Sequence, residues 1–196
     1  HFNLLWIPQL SKEGMQRIFT SILGGFFSAT GFGADVKELA EPSIKATVNI
    51  YNLMLDQMLP TPSKSHYTFN LRDVSRVCQG IMQVTPKCCE DGESYLRLWA
   101  HETCRVFHDR LISHEDKATF CGWICEELKA DNLGNREWDP DVLKTIVYGG
   151  FMNTTMGVTG QTYRQEPVDA SAEKFAEYLS DYNLASTKPM NLVFFT

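Results

Sequence analysis

The chain has 196 residues, of which 43% are hydrophobic and 21% charged, with a formal net charge of −6 at pH 7. That is enough apolar material for one ordinary core or two small ones. An acidic balance without a long basic run argues against nucleic acid or an anionic membrane as a partner, and no apolar run approaches the ~20 residues that cross a bilayer. The chain opens at His1 without an initiator Met or a signal-peptide pattern, so it is expected to be a piece of something longer.

Residues Phe2–Ile7 read as a short apolar strand stopped by Pro8, which needs a sheet to pair with. Ser11 can cap a helix whose broad apolar face is Met15, Ile18, Phe19, Ile22, Leu23, Phe26 and Phe27, ended by Gly31 and Gly33. A second helix is predicted over Pro42–Leu59, with Ile44, Val48, Tyr51, Leu55 and Met58 at gaps of four and three. The run MLPTP stops it.

Asn70 then offers an N-cap, and Leu71, Val74, Cys78 and Ile81 share one face of a third helix. Asp73 sits where an acid answers the positive end of the helix dipole, but Arg72 is a cation in the same turn. A guanidinium there calls for an anion. Asp73 would make an ordinary surface salt bridge, whereas a phosphate would match the planar fork of donors.

The loop VTPKCCEDGES leads into the strongest helical pattern, Glu93–Ile112. Leu96, Ala100, Thr103, Phe107 and Leu111 make its stripe, widened by Trp99 and Val106, while His101, Glu102, Arg105, His108, Asp109 and Arg110 are expected to form a charged face laced by pairs such as Arg105 with Asp109. His101 and Glu102 open like a zinc-protease HExxH, but the second histidine is absent. Ser113 with Asp116 resembles a capping box for a helix through Phe120, Trp123, Ile124 and Leu128 to about Lys129. After the turn-rich DNLGNREWDPD come a short edge strand at Thr145–Tyr148, an irregular stretch over Gly149–Pro167, and a helix over Ala170–Tyr182 carrying Phe175 and Leu179. MNLVFF at 190–195 reads as the start of another strand or helix.

Six cysteines occur, at 78, 88, 89, 104, 121 and 125. Four of them fall in helical patterns, where thiols act as small buried apolar groups. Cys121 and Cys125 lie one turn apart and His101 precedes Cys104 by three, the spacing of a zinc site or thiol enzyme. No CxxC pair accompanies them, so no metal is expected and a reducing compartment is read. No GxxxxGK[ST], GxGxxG or GxSxG motif occurs. On its residues alone the chain is a mostly helical, interaction-type module with one oddly placed arginine.

Four blocks, HYTFNLRDVSRVCQG, LRLWAHETCRVFHDRLI, EYLSDYN and MNLVFF, occur in order and resemble dynein heavy chains, closer to the axonemal than the cytoplasmic branch. The resemblance implies a mainly α fold: an AAA+ small (lid) helical subdomain with short β segments at its edges, part of a larger α/β ring ATPase. It is most similar to the third AAA+ module running into the fourth. Residues 1–10 would end a large subdomain as a strand, 11–133 form the lid, 134–168 a loop-rich linker or insertion, and 169–196 a helix and the start of the next module. The segment from Asp131 to Glu166 departs most from the family pattern, as an insertion or as a contact to axonemal neighbours.

By the same resemblance Arg72 is the sensor II residue that reaches nucleotide phosphates, and Asn70 and Asp73 hold its helix start, with His66, Tyr67 and Arg76 behind them. ATP or ADP with Mg would be held by a P-loop and Walker B acid lying before His1, as would the arginine finger. The chain itself is not expected to hydrolyse ATP, and no catalytic or metal-ligating residue is assigned. The implied partners are neighbouring AAA+ modules, microtubules, and intermediate and light chains, with no nucleic acid and no membrane. The implied location is the cytoplasm and the cytoskeleton of a ciliary or flagellar axoneme. The alternative is a self-contained helical protein-interaction module in which Arg72 has no nucleotide role.

Overall fold

The computed structural model describes residues 2–8, 10–152 and 162–191. Helix α1 spans Lys12–Thr30: the Ser11 hydroxyl accepts from the Gly14 amide at 3.1 Å, and Gly31 closes the helix at φ 80°, a left-handed conformation that favours glycine. Its buried stripe is Met15, Phe19, Leu23 and Phe27, narrower than the predicted face, because Ile18 and Ile22 stay about half exposed. A short α2, Ala34–Glu38, leads into α3, Ala40–Gln57, which accommodates Pro42 in its first turn, where no helical partner is lost. Met54 takes the core position predicted for Leu55, which faces outward.

Helix α4 is Leu71–Ile81 and α5 is Gly92–Phe107. The α5 stripe supplies the centre of the core: Tyr95, Leu96, Leu98, Trp99, Ala100 and Phe107 are all buried. Two hydrogen bonds stitch α5 to α3, Trp99 Nε1 donating to Thr47 Oγ1 at 2.9 Å and the Tyr95 and Ser43 hydroxyls meeting at 2.6 Å. Such buried polar groups stay favourable because each finds a partner. Phe27 packs edge-on against Tyr95 at 5.5 Å, joining α1 to the same centre.

The predicted helix to Ile112 breaks sooner. α5 ends at Phe107 and tightens into a 3₁₀ turn over His108–Arg110, before Ser113 caps α6, His114–Lys129. Asp116 does not complete a capping box there, because its carboxylate is taken by Tyr67 Oη at 2.8 Å and by Lys64. Helix α7, Pro140–Lys144, packs on α6, and Leu143, Ile146 and Tyr148 sink into the common core.

The β content differs from expectation. No strand forms over Phe2–Ile7: residues 2–8 take no regular structure and Phe2, Leu4, Leu5, Trp6 and Ile7 are 86–97% exposed, since no sheet among the described residues offers them a partner. The pairing lies instead between β1, Val147–Gly149, and β2, Arg164–Glu166, antiparallel with Tyr148 opposite Gln165. The edge strand predicted at Thr145–Tyr148 therefore starts two residues later and ends one later, and the stretch predicted to be irregular contains its partner. Helix α8, Val168–Ala185, follows directly, and Ser171 is its buried residue. Most of MNLVFF lies outside the described residues. Among the described residues no helix is long and apolar enough to cross a membrane.

Candidate functional site

The start of α4 is fixed from both sides. Asn70 is extended at φ −147°, its side-chain oxygen accepts from the Arg72 amide at 2.9 Å, and its own amide donates to Asp73 Oδ2 at 2.9 Å. This reciprocal capping box satisfies backbone donors that the first turn would otherwise leave open. Asp73 is buried. Its other oxygen pairs with the Arg110 guanidinium, 3.1 Å from Nη1, and accepts from Arg76 Nη1 at 3.4 Å. Arg110 also stacks on Phe69 at 4.6 Å and donates to the Thr68 carbonyl at 2.8 Å, while His66 Nε2 lies 2.9 Å from the Arg110 carbonyl. The segment entering α4 is thus clamped to the end of α5.

That clamp decides the fate of Arg72. The salt bridge to Asp73 is not made, because a carboxylate already serving a backbone amide and two guanidinium groups is turned inward. Arg72 is exposed, and its guanidinium has no hydrogen bond or ion pair among the described residues. It borders an open depression of about 560 Å³ with Phe19, Asn70, Leu71 and Ser75. A permanent cation beside the positive end of a helix favours anions. Among the residues expected around the site, Arg76 and His66 do join the network, one on Asp73 and the other on Arg110. Arg110 itself was missed; its signal was the Asn70-to-Asp73 spacing, which reserves that acid for the cap and leaves a different cation to answer it.

A second polar cluster replaces the predicted charged face of α5. Glu102 is fully buried; Oε2 accepts from Arg105 Nε at 2.9 Å and Nη2 at 2.7 Å, and Oε1 accepts from the Tyr163 hydroxyl. Arg105 therefore pairs three residues back instead of with Asp109. His101 is also largely buried, with Nδ1 3.1 Å from the Ile146 carbonyl, and burial pulls its pKa below the ordinary value against the opposing pull of Glu102. All six cysteines are free thiols, and among the described residues no group of three His, Cys, Asp or Glu side chains is arranged to hold a metal.

Comparison with known proteins agrees with this architecture. Residues 18–117, half of the chain, match the family described as dynein heavy chain, ATPase lid domain. Over its full length the chain is 40% identical to dynein axonemal heavy chain 6 of Homo sapiens, 38% to dynein axonemal heavy chain 1 of Rattus norvegicus and 33% to dynein axonemal heavy chain 12 of Rattus norvegicus. It spans 5%, 4% and 7% of those proteins respectively. The family match over half of the chain, and whole-length identity to three such heavy chains, lead to one assignment: this chain belongs to the dynein heavy chain family and carries its ATPase lid domain.

Proposed function

We propose that this lid senses nucleotide through Arg72, as a sensor II arginine, in an axonemal dynein heavy chain that drives ciliary or flagellar motility on microtubules. The reading rests on the unpaired guanidinium of Arg72 at the capped start of α4, next to an open depression while its neighbour Asp73 is fully engaged. The donor set fits a phosphate: a fixed positive fork at the positive end of a helix, with no carboxylate facing it. ATP or ADP with Mg, held by the adjoining large subdomain of the same chain, supplies the phosphoryl chemistry. The role of this chain is to bind and to report. A charge-assisted contact between lid and nucleotide exists only when the two are closed together, so occupancy biases the lid angle, which neighbouring modules of the ring then feel. On this reading the lid belongs to the third AAA+ module and leads into the fourth.

The test is Arg72→Ala in the full-length heavy chain, with nucleotide affinity measured at this module. One charge-assisted hydrogen bond of about 1.5–3 kcal/mol corresponds to roughly 10- to 100-fold weaker binding of ATP or ADP. Unchanged affinity and unchanged response to nucleotide would leave a helical interaction module and remove the sensor.

A further inference from the structure

Glu102 is the polar group that the sensing site does not use, and its surroundings are unusual. A carboxylate with no exposure belongs in a core only when its partners hold it there, since an uncompensated buried charge costs several kcal/mol. Its partners come from its own helix, through Arg105, and from the residue just before β2, Tyr163. Its third neighbour is Gly80 of α4. A methyl group on Gly80 would fall 1.7 Å from Glu102 Oε2 and 2.2 Å from Cδ, so the carboxylate sits where any other residue would place its Cβ. Glycine inside a helix is unfavourable relative to alanine, and close approach of this carboxylate explains its presence here.

The same corner is tied a second time. Just beyond α4, Val84 forms a parallel bridge with Tyr163, and the Tyr148 hydroxyl of β1 donates to the Ser94 carbonyl of α5 at 3.0 Å. β2 passes through Pro167 straight into α8, whose further ties run through Phe151, packed on Phe175 at 4.5 Å and accepting from the Tyr178 hydroxyl at 2.6 Å. Arg72 and Gly80 thus stand at opposite ends of α4, eight residues or roughly 12 Å apart along the axis.

We propose that Glu102, seated on Gly80 and gripped by Tyr163, is a latch that locks α4 to the β1–β2 ladder and α8. The helix that carries Arg72 and the segment that leaves the lid then move as one body. The latch is a geometric claim in its own right; its use in passing on a nucleotide signal rests on the sensor reading of Arg72. Tyr163 and Glu102 act as positioning residues and do not touch nucleotide.

The test uses the full-length heavy chain with spin labels on exposed positions of the two helices, Gln79 and Glu173, and pulsed dipolar spectroscopy. Without nucleotide, the intact latch gives one narrow distance. Tyr163→Phe, which keeps the ring and removes the hydroxyl, broadens it, and so does Glu102→Gln. With ADP the unaltered chain keeps its narrow distance, while Tyr163→Phe shifts or splits it and leaves ADP affinity within about twofold, against the tenfold or greater loss expected for Arg72→Ala. A distance in nucleotide-free Tyr163→Phe and Glu102→Gln as narrow as in the unaltered chain overturns the latch. Unchanged affinity in Arg72→Ala overturns the sensor alone, since the nucleotide-free distances still report the latch.

Discussion

Gly80→Ala separates two opposite expectations. Helix propensity alone says that an alanine in the interior of α4 stabilises by about 1 kcal/mol. The packing says the reverse, because the added methyl would lie 1.7 Å from a carboxylate oxygen whose residue is fully buried and held by Arg105 and Tyr163. Moving Glu102 aside strains the α4–α5 contact by roughly 1–3 kcal/mol and weakens a charge-assisted hydrogen bond worth about 1.5–3 kcal/mol. Against the propensity gain, the net cost is about 2 kcal/mol, or a melting point lowered by ~4–8 °C for a chain of this size. Thermal unfolding followed by circular dichroism reads this directly. A double-mutant cycle adds a control: in a Glu102→Ala background the obstacle is gone and the alanine at 80 should cost nothing. A higher melting point for Gly80→Ala alone would refute the close approach.

Other expectations follow from the same geometry. Asp73→Ala should lower stability by roughly 2–4 kcal/mol, because it removes a cap and strands Arg110, whereas Arg72→Ala should stay within about 0.5 kcal/mol; urea midpoints compare them, and a large loss for Arg72→Ala would mean that it is structural. The two histidines of α5 and its 3₁₀ extension should titrate in opposite directions. The Asp109 carboxylate, with Cys121, raises the His108 pKa to about 9, so its contribution to stability is complete below pH ~6.5 and fades as the pH climbs towards 9. Burial lowers the His101 pKa, so its contribution is present above pH ~6.5 and is lost as the pH falls through the lowered value. NMR titration of the ring protons checks both, and His101 titrating above His108 would contradict the structure. Burial raises Cys78 to about 12 and Cys89 to about 11, so a thiol reagent at pH 8 should spare both until urea unfolds the chain, and labelling of the folded protein would count against their burial.

The helices that could be read in advance were those whose signals are local. Ser11 and Asn70 as caps, Gly31 as a stop, and the Leu96-to-Phe107 stripe each act within a few residues of their own position, and each reappears in the structure. Where a feature depends on something distant, the pattern was silent or misleading. Met54 and Leu55 are neighbours on a helix, and only packing decides which one turns inward. β2 has no apolar alternation at all in Arg164–Glu166; it is a strand because Val147–Gly149 lies beside it. Glu102 looked like an exposed acid among other charges because the hydroxyl that holds it lies 61 residues further on. At the site, the position of Arg72 was legible and its isolation was not, since that required knowing that Arg110 reaches Asp73.

The uncovered apolar residues ahead of α1 carry a practical consequence. Five large side chains among residues 2–7 stand almost wholly in water, and each would gain about 1.5–3 kcal/mol from burial, on the order of 10 kcal/mol together. That sum rivals the entire folding stability of a typical domain. An extended, sticky peptide of this kind pairs readily with whatever open strand it meets, including its own copy. Solutions of the chain should therefore cloud or form higher oligomers as concentration rises, and replacing Leu4 and Trp6 with lysine should keep it dispersed without disturbing the helical bundle.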